Sequence, residues 1–263
     1  AAIVKQYQAA HGLTYTPAQV VVSNGAKHSL HNVFTVLCDP GDEVIIPAPY
    51  WVSYPTMVEL AEGKPVIAVC PKETNFKLTP DILKRSLTAK TKVLLLNSPN
   101  NPTGQVYTKD ELSALAQVLE RTGVWIISDD IYDNMIFTGD KIAPHIGTTN
   151  EGILPRLLIA NSVSKTYSMT GWRIGSLVGE KKVIEACSNY QSQSASCAVS
   201  FAQKGAVEAL LGTQEPMHKA MVQLKARREL ALKILHKIEG LDLVDPIGMA
   251  LVGGFDLADE LGV

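Results

Sequence analysis

The sequence predicts an α/β layered domain organised around a mostly parallel sheet. Seven short apolar runs are spaced through the chain and alternate with amphipathic stretches of helical length. The chain shows no internal repeat and no low-complexity linker that would divide it early. Small, polar or charged residues follow several of the runs, and in open α/β sheets the carboxyl ends of strands are where chemistry gathers.

The elements follow in order. Ile3, Val4 and Tyr7 give the opening residues a helix-like pattern, and Val20–Val22 is the first strand candidate. A helix over Ala26–Leu37 stops before "CDPGD", where Pro40 and Gly41 supply a turn. Val44–Ile46, Val66–Val69 and Val93–Leu96 are the next strands. Thr108 and Glu111 form a capping box ahead of a helix whose Leu112, Leu115, Ala116 and Leu119 share one face. Val124–Ile127, Leu157–Ala160 and Ile174–Val178 complete the strand set. A longer helix runs from near Pro216 to about Ile238, with Met217, Ala220, Met221 and Leu224 on one side and the charges of "KARRELALK" on its solvated face.

The 263 residues are 46% hydrophobic and 19% charged with a net charge of −2, which gives no support for nucleic acid or an anionic membrane as partner. No uninterrupted apolar segment is long enough for a bilayer, and the opening "AAIVKQYQAAHG" is not a signal peptide. Cys38, Cys70, Cys187 and Cys197 show neither a CxxC pair nor zinc spacing, so they read as buried free thiols of a reducing, cytoplasmic setting. His28 and His31 lie three apart on one helix without a third ligand of suitable spacing, and an ordinary helix face is the expectation, with no metal. The abrupt ends suggest a fragment.

Four strand ends carry candidate chemistry. "SNGAKHSL" after Val22 is either a helix-entry turn or a phosphate seat made of backbone N–H groups and a helix dipole. "NSPNNPTG", Asn97 to Gly104, is a rigid loop that fixes side-chain amides. In "SDDIYD" a carboxylate emerges from an apolar strand, either to cap a helix or to meet a cation. In "NSVSKTYSMTGWRIG" Lys165 stands among small hydroxyl residues, with Arg173 eight positions on. A desolvated lysine is a nucleophile toward carbonyls, and an arginine binds phosphate bidentately. A phosphate cradle, amide donors, an Asp and a lysine with an arginine are together what pyridoxal 5'-phosphate requires: an amine for its aldehyde, an acid for its ring nitrogen and donors for its phosphate.

"SVSKTYSMTGWRIG", "SPNNPTG", "SDDIYD" and "GDEVIIPAPYWVSYP" resemble, in order, the motif blocks of the class I/II aminotransferases of fold type I, and the similarity runs over roughly Ile3 to Pro246. The resemblance implies a three-layer large domain with a mostly parallel seven-stranded sheet over residues 1–215, then a connecting helix and the start of a small domain over 216–263. It implies that Lys165 forms the Schiff base and shuttles the proton, that Asp129 pairs with the ring nitrogen, and that Tyr132 and Asn101 hydrogen-bond the phenolic oxygen. Trp51 would stack on the ring, or be a core aromatic. Gly25, Ala26, Lys27, Ser162 and Arg173 would surround the phosphate, and Ser164 would join them or cover the flank of the lysine. The motifs look most like the bacterial and plastid aspartate aminotransferase subgroup, some members of which also use prephenate. There the lysine matching Lys27 lies near the distal carboxylate of the substrate; the other reading of Lys27 is a solvent-facing residue at a helix start. Trp51, Asn101 and Lys27 would thus also meet the substrate.

The family's N-terminal closing segment and the arginine of its small domain have no counterpart in the sequence, and "PIGMALVGGF" stands where a "P-x-G-A-F-Y" block is expected. The implied activity is amino transfer between an amino acid, aspartate or glutamate above all, and a 2-oxo acid, in a homodimer. A C–S β-lyase and a non-catalytic cofactor-binding regulator are the alternatives.

Overall fold

A computed structural model describes residues 1–137, 139 and 141–249, and the backbone of 254–255. The chain runs α1 (Ala2–His11), β1 (Val20–Ser23), α2 (Ala26–Leu37), β2 (Glu43–Ala48), α3 (Ser53–Leu60), β3 (Lys64–Val69), α4 (Pro80–Ser86), β4 (Thr91–Asn97), α5 (Lys109–Glu120) and β5 (Trp125–Asp129). It continues with β6 (Leu157–Ser162), β7 (Gly175–Val178), α6 (Lys181–Ser194), α7 (Ser200–Leu211), α8 (Glu215–Leu235), β8 (Leu243–Val244) and β9 (Gly254–Phe255). All seven expected strands form and join one sheet in the order β1-β7-β6-β5-β4-β2-β3.

Neighbouring strands from β6 to β3 pair in parallel, while β7 is antiparallel to both β6 and β1. One edge therefore collects the carboxyl ends of six strands and the amino end of β7. This places Arg173, which precedes β7, beside residues that follow the other strands.

Alternation along the central strands builds the layers. Leu94, Leu96 and Ile126 pack under α1, α4 and α5 with Tyr7, Leu83, Leu112 and Leu115. Val93, Leu95 and Ile127 pack on the opposite face under α2, α3 and α6 with Val33, Phe34, Val58 and Ile184. A strand buried on both faces reads as a continuous apolar run, which is why "VLLL" carries no period-2 signal. Helix α5 starts where its capping box predicts: the Thr108 side chain accepts from Glu111 N at 3.2 Å and Glu111 Oε2 accepts from Thr108 N at 2.8 Å.

One expectation changes. Cys38, Cys70 and Cys187 are buried, but Cys197 is exposed, because it lies in the loop between α6 and α7 and outside both layers. Helix α8 forms with no fully buried residue; the expected side of Met217, Ala220, Met221 and Leu224 is half-buried, while Val222, Leu230 and Ile234 lie off it and are exposed. The small sheet β8–β9 is separate from the main one. Of the expected 216–263 unit, residues 250–253 and 256–263 lie outside the described residues.

Candidate active site

The carboxyl edge of the sheet holds a cleft of about 290 Å³ lined by Ala26, Lys27, Trp51, Tyr54, Asn97, Asn101, Asp129, Ile131, Tyr132, Ser164, Lys165, Thr170 and Arg173. An adjoining pocket of about 260 Å³ shares Tyr132, Ser164, Lys165 and Thr170 and adds Met135, Leu224 and Met249. Lys165 is half-buried, and its Nζ lies 5.8 Å from the centroid of the Tyr132 ring.

Asp129 closes β5 and is 2% exposed. Its Oδ2 accepts from Tyr54 Oη at 2.7 Å and its Oδ1 from Ile131 N at 3.3 Å. Among the described residues no cation pairs with it, and burial pushes its pKa up to about 6, against the opposing pull of those two hydrogen bonds. The same charge, added to burial, raises the pKa of the Tyr132 hydroxyl, which the Asn101 amide offsets in part.

The asparagine-rich loop divides its labour. Asn97 Nδ2 donates to Asp129 O at 2.8 Å while its Oδ1 accepts from Asn101 N at 2.9 Å. Asn100 Oδ1 accepts from Thr103 N and Oγ1, and its Nδ2 donates to Pro49 O at 3.3 Å. Two amides thus hold the loop, and Asn101 faces the cleft.

At the other end, Gly25 turns the chain from β1 into α2 with φ 94°, and a Cβ built there would stand 2.5 Å from Arg173 Nη2. A Cβ on Gly175 would run into the backbone of Gly25. These two glycines let the start of β7 close on the turn. Arg173 itself is left-handed at φ 55°; its Nη1 donates to Thr170 O at 2.9 Å and its Nη2 to Asn24 O at 3.1 Å. Other guanidinium N–H groups and the first-turn amides of α2 share this end of the cleft, a donor set suited to phosphate.

Two expected members do not line the cleft. Gly25 is buried beneath the Arg173 guanidinium. Ser162 lines a separate cavity of about 220 Å³ with Tyr7, Asp133 and Asn161, and its Oγ donates to Ser164 Oγ at 2.7 Å. Ser164 is the serine that reaches the cleft. Trp51 is half-buried, stands edge-on to Tyr54 at 5.4 Å and carries Lys27 Nζ 4.7 Å from its ring centroid, so it belongs to the cleft wall. Lys27 is exposed, as the solvent-facing reading has it, yet lines the cleft and donates to Ser53 Oγ at 3.1 Å. His28 Nδ1 accepts from Asn24 N at 3.2 Å, and His31 Nε2 meets Tyr190 Oη at 3.3 Å; both serve the fold.

The family model for aminotransferase class I and II matches residues 1–261. The chain belongs to the class I and II aminotransferase family. It is 46% identical over 249 residues to an aspartate/prephenate aminotransferase of Cereibacter sphaeroides and 44% identical over 246 residues to an aspartate aminotransferase of Geobacillus stearothermophilus. In each case the match covers 94% of this chain and 62% of the relative. The aspartate aminotransferase from Rhizobium meliloti superposes with a TM-score of 0.92 at 39% identity, over 94% of this chain and 62% of that one. That of Thermus thermophilus with maleate gives 0.87 at 37%, over 94% and 64%. This aminotransferase-family chain thus spans less than two thirds of the length of those curated relatives. The C–S lyase and regulator alternatives gain no support from them.

Sequence reading missed Tyr54 and Asn97 as parts of this site. Both stand inside the quoted blocks "PYWVSYP" and "NSPNNPTG", but only the fold shows that they converge on Asp129.

Proposed function

We propose that the chain is the large-domain part of an aminotransferase that uses pyridoxal 5'-phosphate to move an amino group from aspartate or glutamate to a 2-oxo acid. The observation that carries the reading is Asp129: a carboxylate buried without a cation among the described residues, facing the same cleft as Lys165 and Arg173. A protonated ring nitrogen would compensate it, and the cradle that a Cβ at Gly25 would fill suits a phosphate. When bound, the cofactor would supply an aldehyde that accepts amino groups and a ring that withdraws electrons from the substrate α-carbon.

The residues take the remaining work. Lys165 Nζ is the amine that holds the aldehyde end and, released from it, moves the proton at the substrate α-carbon. Asp129 holds the proton on the ring nitrogen, and Tyr54 and Ile131 N orient its oxygens. Tyr132 and Asn101 hydrogen-bond the phenolic oxygen, Trp51 covers the ring, and Ala26, Lys27, Ser164 and Arg173 bind the phosphate end, with Gly25 and Ser162 shaping it from behind. Lys27 at the cleft wall, together with Trp51 and Asn101, supports a dicarboxylic substrate, as do the names of the relatives.

The same proposal divides the chain at 215/216, since α8 has no fully buried residue and β8–β9 is separate from the main sheet. It includes a homodimer, which exposed Phe201 and Val199 support, and a cytoplasmic setting, which the buried free thiols support. No helix of the described residues is long and apolar enough to cross a membrane.

The test is absorbance of the purified chain with pyridoxal phosphate, followed by L-aspartate and then borohydride labelling. A visible band with the label on Lys165, shifting to the pyridoxamine form with aspartate, is the expected result. A chain that gains no band and no label at Lys165 overturns the reading.

A further inference from the structure

Gln191 lies near the end of α6, 4% exposed, in the layer between α2 and α6 where Val21, Leu30, Val33, Val183 and Cys187 make an apolar core. Its Oε1 accepts from Ser23 Oγ at 2.7 Å and from Asn32 Nδ2 at 3.1 Å, and its Nε2 donates to Val22 O at 2.9 Å. Ser23 and Asn32 are fully buried. Apolar residues of similar size would fill such a layer without any desolvation cost, so a buried polar trio needs a geometric reason.

The three bonds supply one. Val22 and Ser23 are the end of β1, and Asn32 is in the second turn of α2; the Asn24–Gly25 turn lies between them. One amide therefore fixes the strand end and the helix to each other across the turn whose Asn24 O also receives Arg173. A second bond on the same side, Tyr190 Oη to His31 Nε2, holds α6 against α2. The angle between β1 and α2 decides whether the first-turn amides of α2 and the Arg173 guanidinium aim at one point, because helix-terminus donors act over only the first turn.

We infer that Gln191 is a positioning residue for the phosphate end of the cofactor site, acting through Ser23 and Asn32 on the start of α2; this rests on the function proposed above. Gln191 touches neither Lys165 nor the cleft, so its removal should weaken the phosphate contact and spare the aldehyde contact. The measurement is the affinity of the chain for pyridoxal phosphate against pyridoxal, which lacks the phosphate, by absorbance titration. Gln191→Leu is expected to cut the preference for the phosphorylated form about tenfold, the scale of one lost hydrogen bond to a charged group, with pyridoxal affinity held within about twofold. Ser23→Ala, a milder change, should move the ratio the same way by a smaller factor, and it decides the question if Gln191→Leu does not fold. An unchanged ratio, or equal losses for both ligands, overturns the inference and leaves Gln191 a bond of the fold alone. A wild-type chain labelled at Lys165 but indifferent to the phosphate overturns this inference and keeps the cofactor assignment; no labelling with either compound overturns both.

Discussion

Asp129 and Asp130 are adjacent, both nearly sealed from solvent, and face opposite sides of the sheet. Asp130 points to the α1 and α5 side, where Ser128 Oγ donates to it at 2.6 Å and His145 Nε2 lies 3.0 Å from its Oδ2. The His145 ring is oriented by its Nδ1, which accepts from Gly147 N at 3.0 Å, and its Nε2 meets Asp130 Oδ2 by proximity, without hydrogen-bond geometry. Asp129 points to the α2 and α3 side, with a tyrosine hydroxyl and one backbone N–H but no cation among the described residues. Asp130 has a hydroxyl donor on one oxygen and an imidazole at ion-pair distance from the other; Asp129 has no such ring or cation among the described residues, and it shares its cleft with a lysine and an arginine. Missing charge alone is not the mark, since Asp133 also lacks a cation among the described residues and is pushed up to about 7 by burial and by Asp130. Its oxygens, however, accept from Asn134 N, Asn134 Nδ2 and Asn161 Nδ2, and it does not line the cleft with Lys165. Incompleteness becomes a functional sign where it coincides with groups that handle an aldehyde and a phosphate.

The sharpest way to break the comparison is to neutralise each aspartate. On the proposed function, Asp129→Asn should lower amino-transfer turnover on the order of a hundredfold or more, the scale of removing a charged group that supports developing charge. Asp130→Asn should leave turnover within about tenfold, because it touches neither the cleft nor the reacting atoms. Steady-state turnover with aspartate and a 2-oxo acid measures both, and equal losses would erase the distinction between the two faces.

Stability should run the other way. Asp130→Ala strands the Ser128 hydroxyl in a dry layer and takes the carboxylate away from His145, and should cost roughly 1–3 kcal/mol in urea unfolding. For Asp129 the folded pKa is raised from 3.8 to about 6, so its stabilising contribution is complete below about pH 4 and is lost as pH rises through about 6. Above that, the chain without cofactor carries an uncompensated anion, and Asp129→Asn should be more stable than the parent at pH 8 by roughly 1–3 kcal/mol, with the advantage vanishing toward pH 4. Because His11, held down to about 4 by burial, responds to pH in the opposite sense, the difference between variant and parent is the quantity to read.

The sheet and the cleft were not equally legible in the sequence. Apolar runs such as Val93–Leu96 announce strands because burial on both faces leaves no polar position in them. Lys165, Asp129, Asn101 and Arg173 were visible because each is a polar residue placed just beyond, or in the case of Arg173 just before, such a run. What the sequence concealed is direction. Ser162 and Ser164 look equivalent on paper, but the strand end sends only Ser164 into the cleft. Tyr54 reads as one of several aromatics in "PYWVSYP", and its partner is 75 positions away. Gln191 reads as one polar residue of "QSQS", and its bonds cross 159 to 169 positions. Long-range pairings of this kind follow from sheet order, which no local pattern encodes.

Tyr54 gives the smallest and finest test, because among the described residues it is the one side chain that hydrogen-bonds the Asp129 carboxylate. Its hydroxyl is buried, donates at 2.7 Å, and is itself pushed well above its usual pKa by burial and by the Asp129 charge, so it serves as a donor throughout the accessible pH range. Tyr54→Phe removes the donor and little volume. At pH 8, where Asp129 is an anion, the loss should be roughly 1–2 kcal/mol, the range for a hydrogen bond to a charged partner discounted for relaxation of the site. At pH 5 the carboxyl is largely protonated, the bond is between neutral groups, and the loss should fall to about half that. In the Asp129→Asn background the pH dependence of the Tyr54→Phe effect should disappear, since the titrating partner is gone. If it persists there, the hydroxyl is answering to some charge other than Asp129, and the carboxylate that faces the cleft is less alone than its neighbour's contrast makes it.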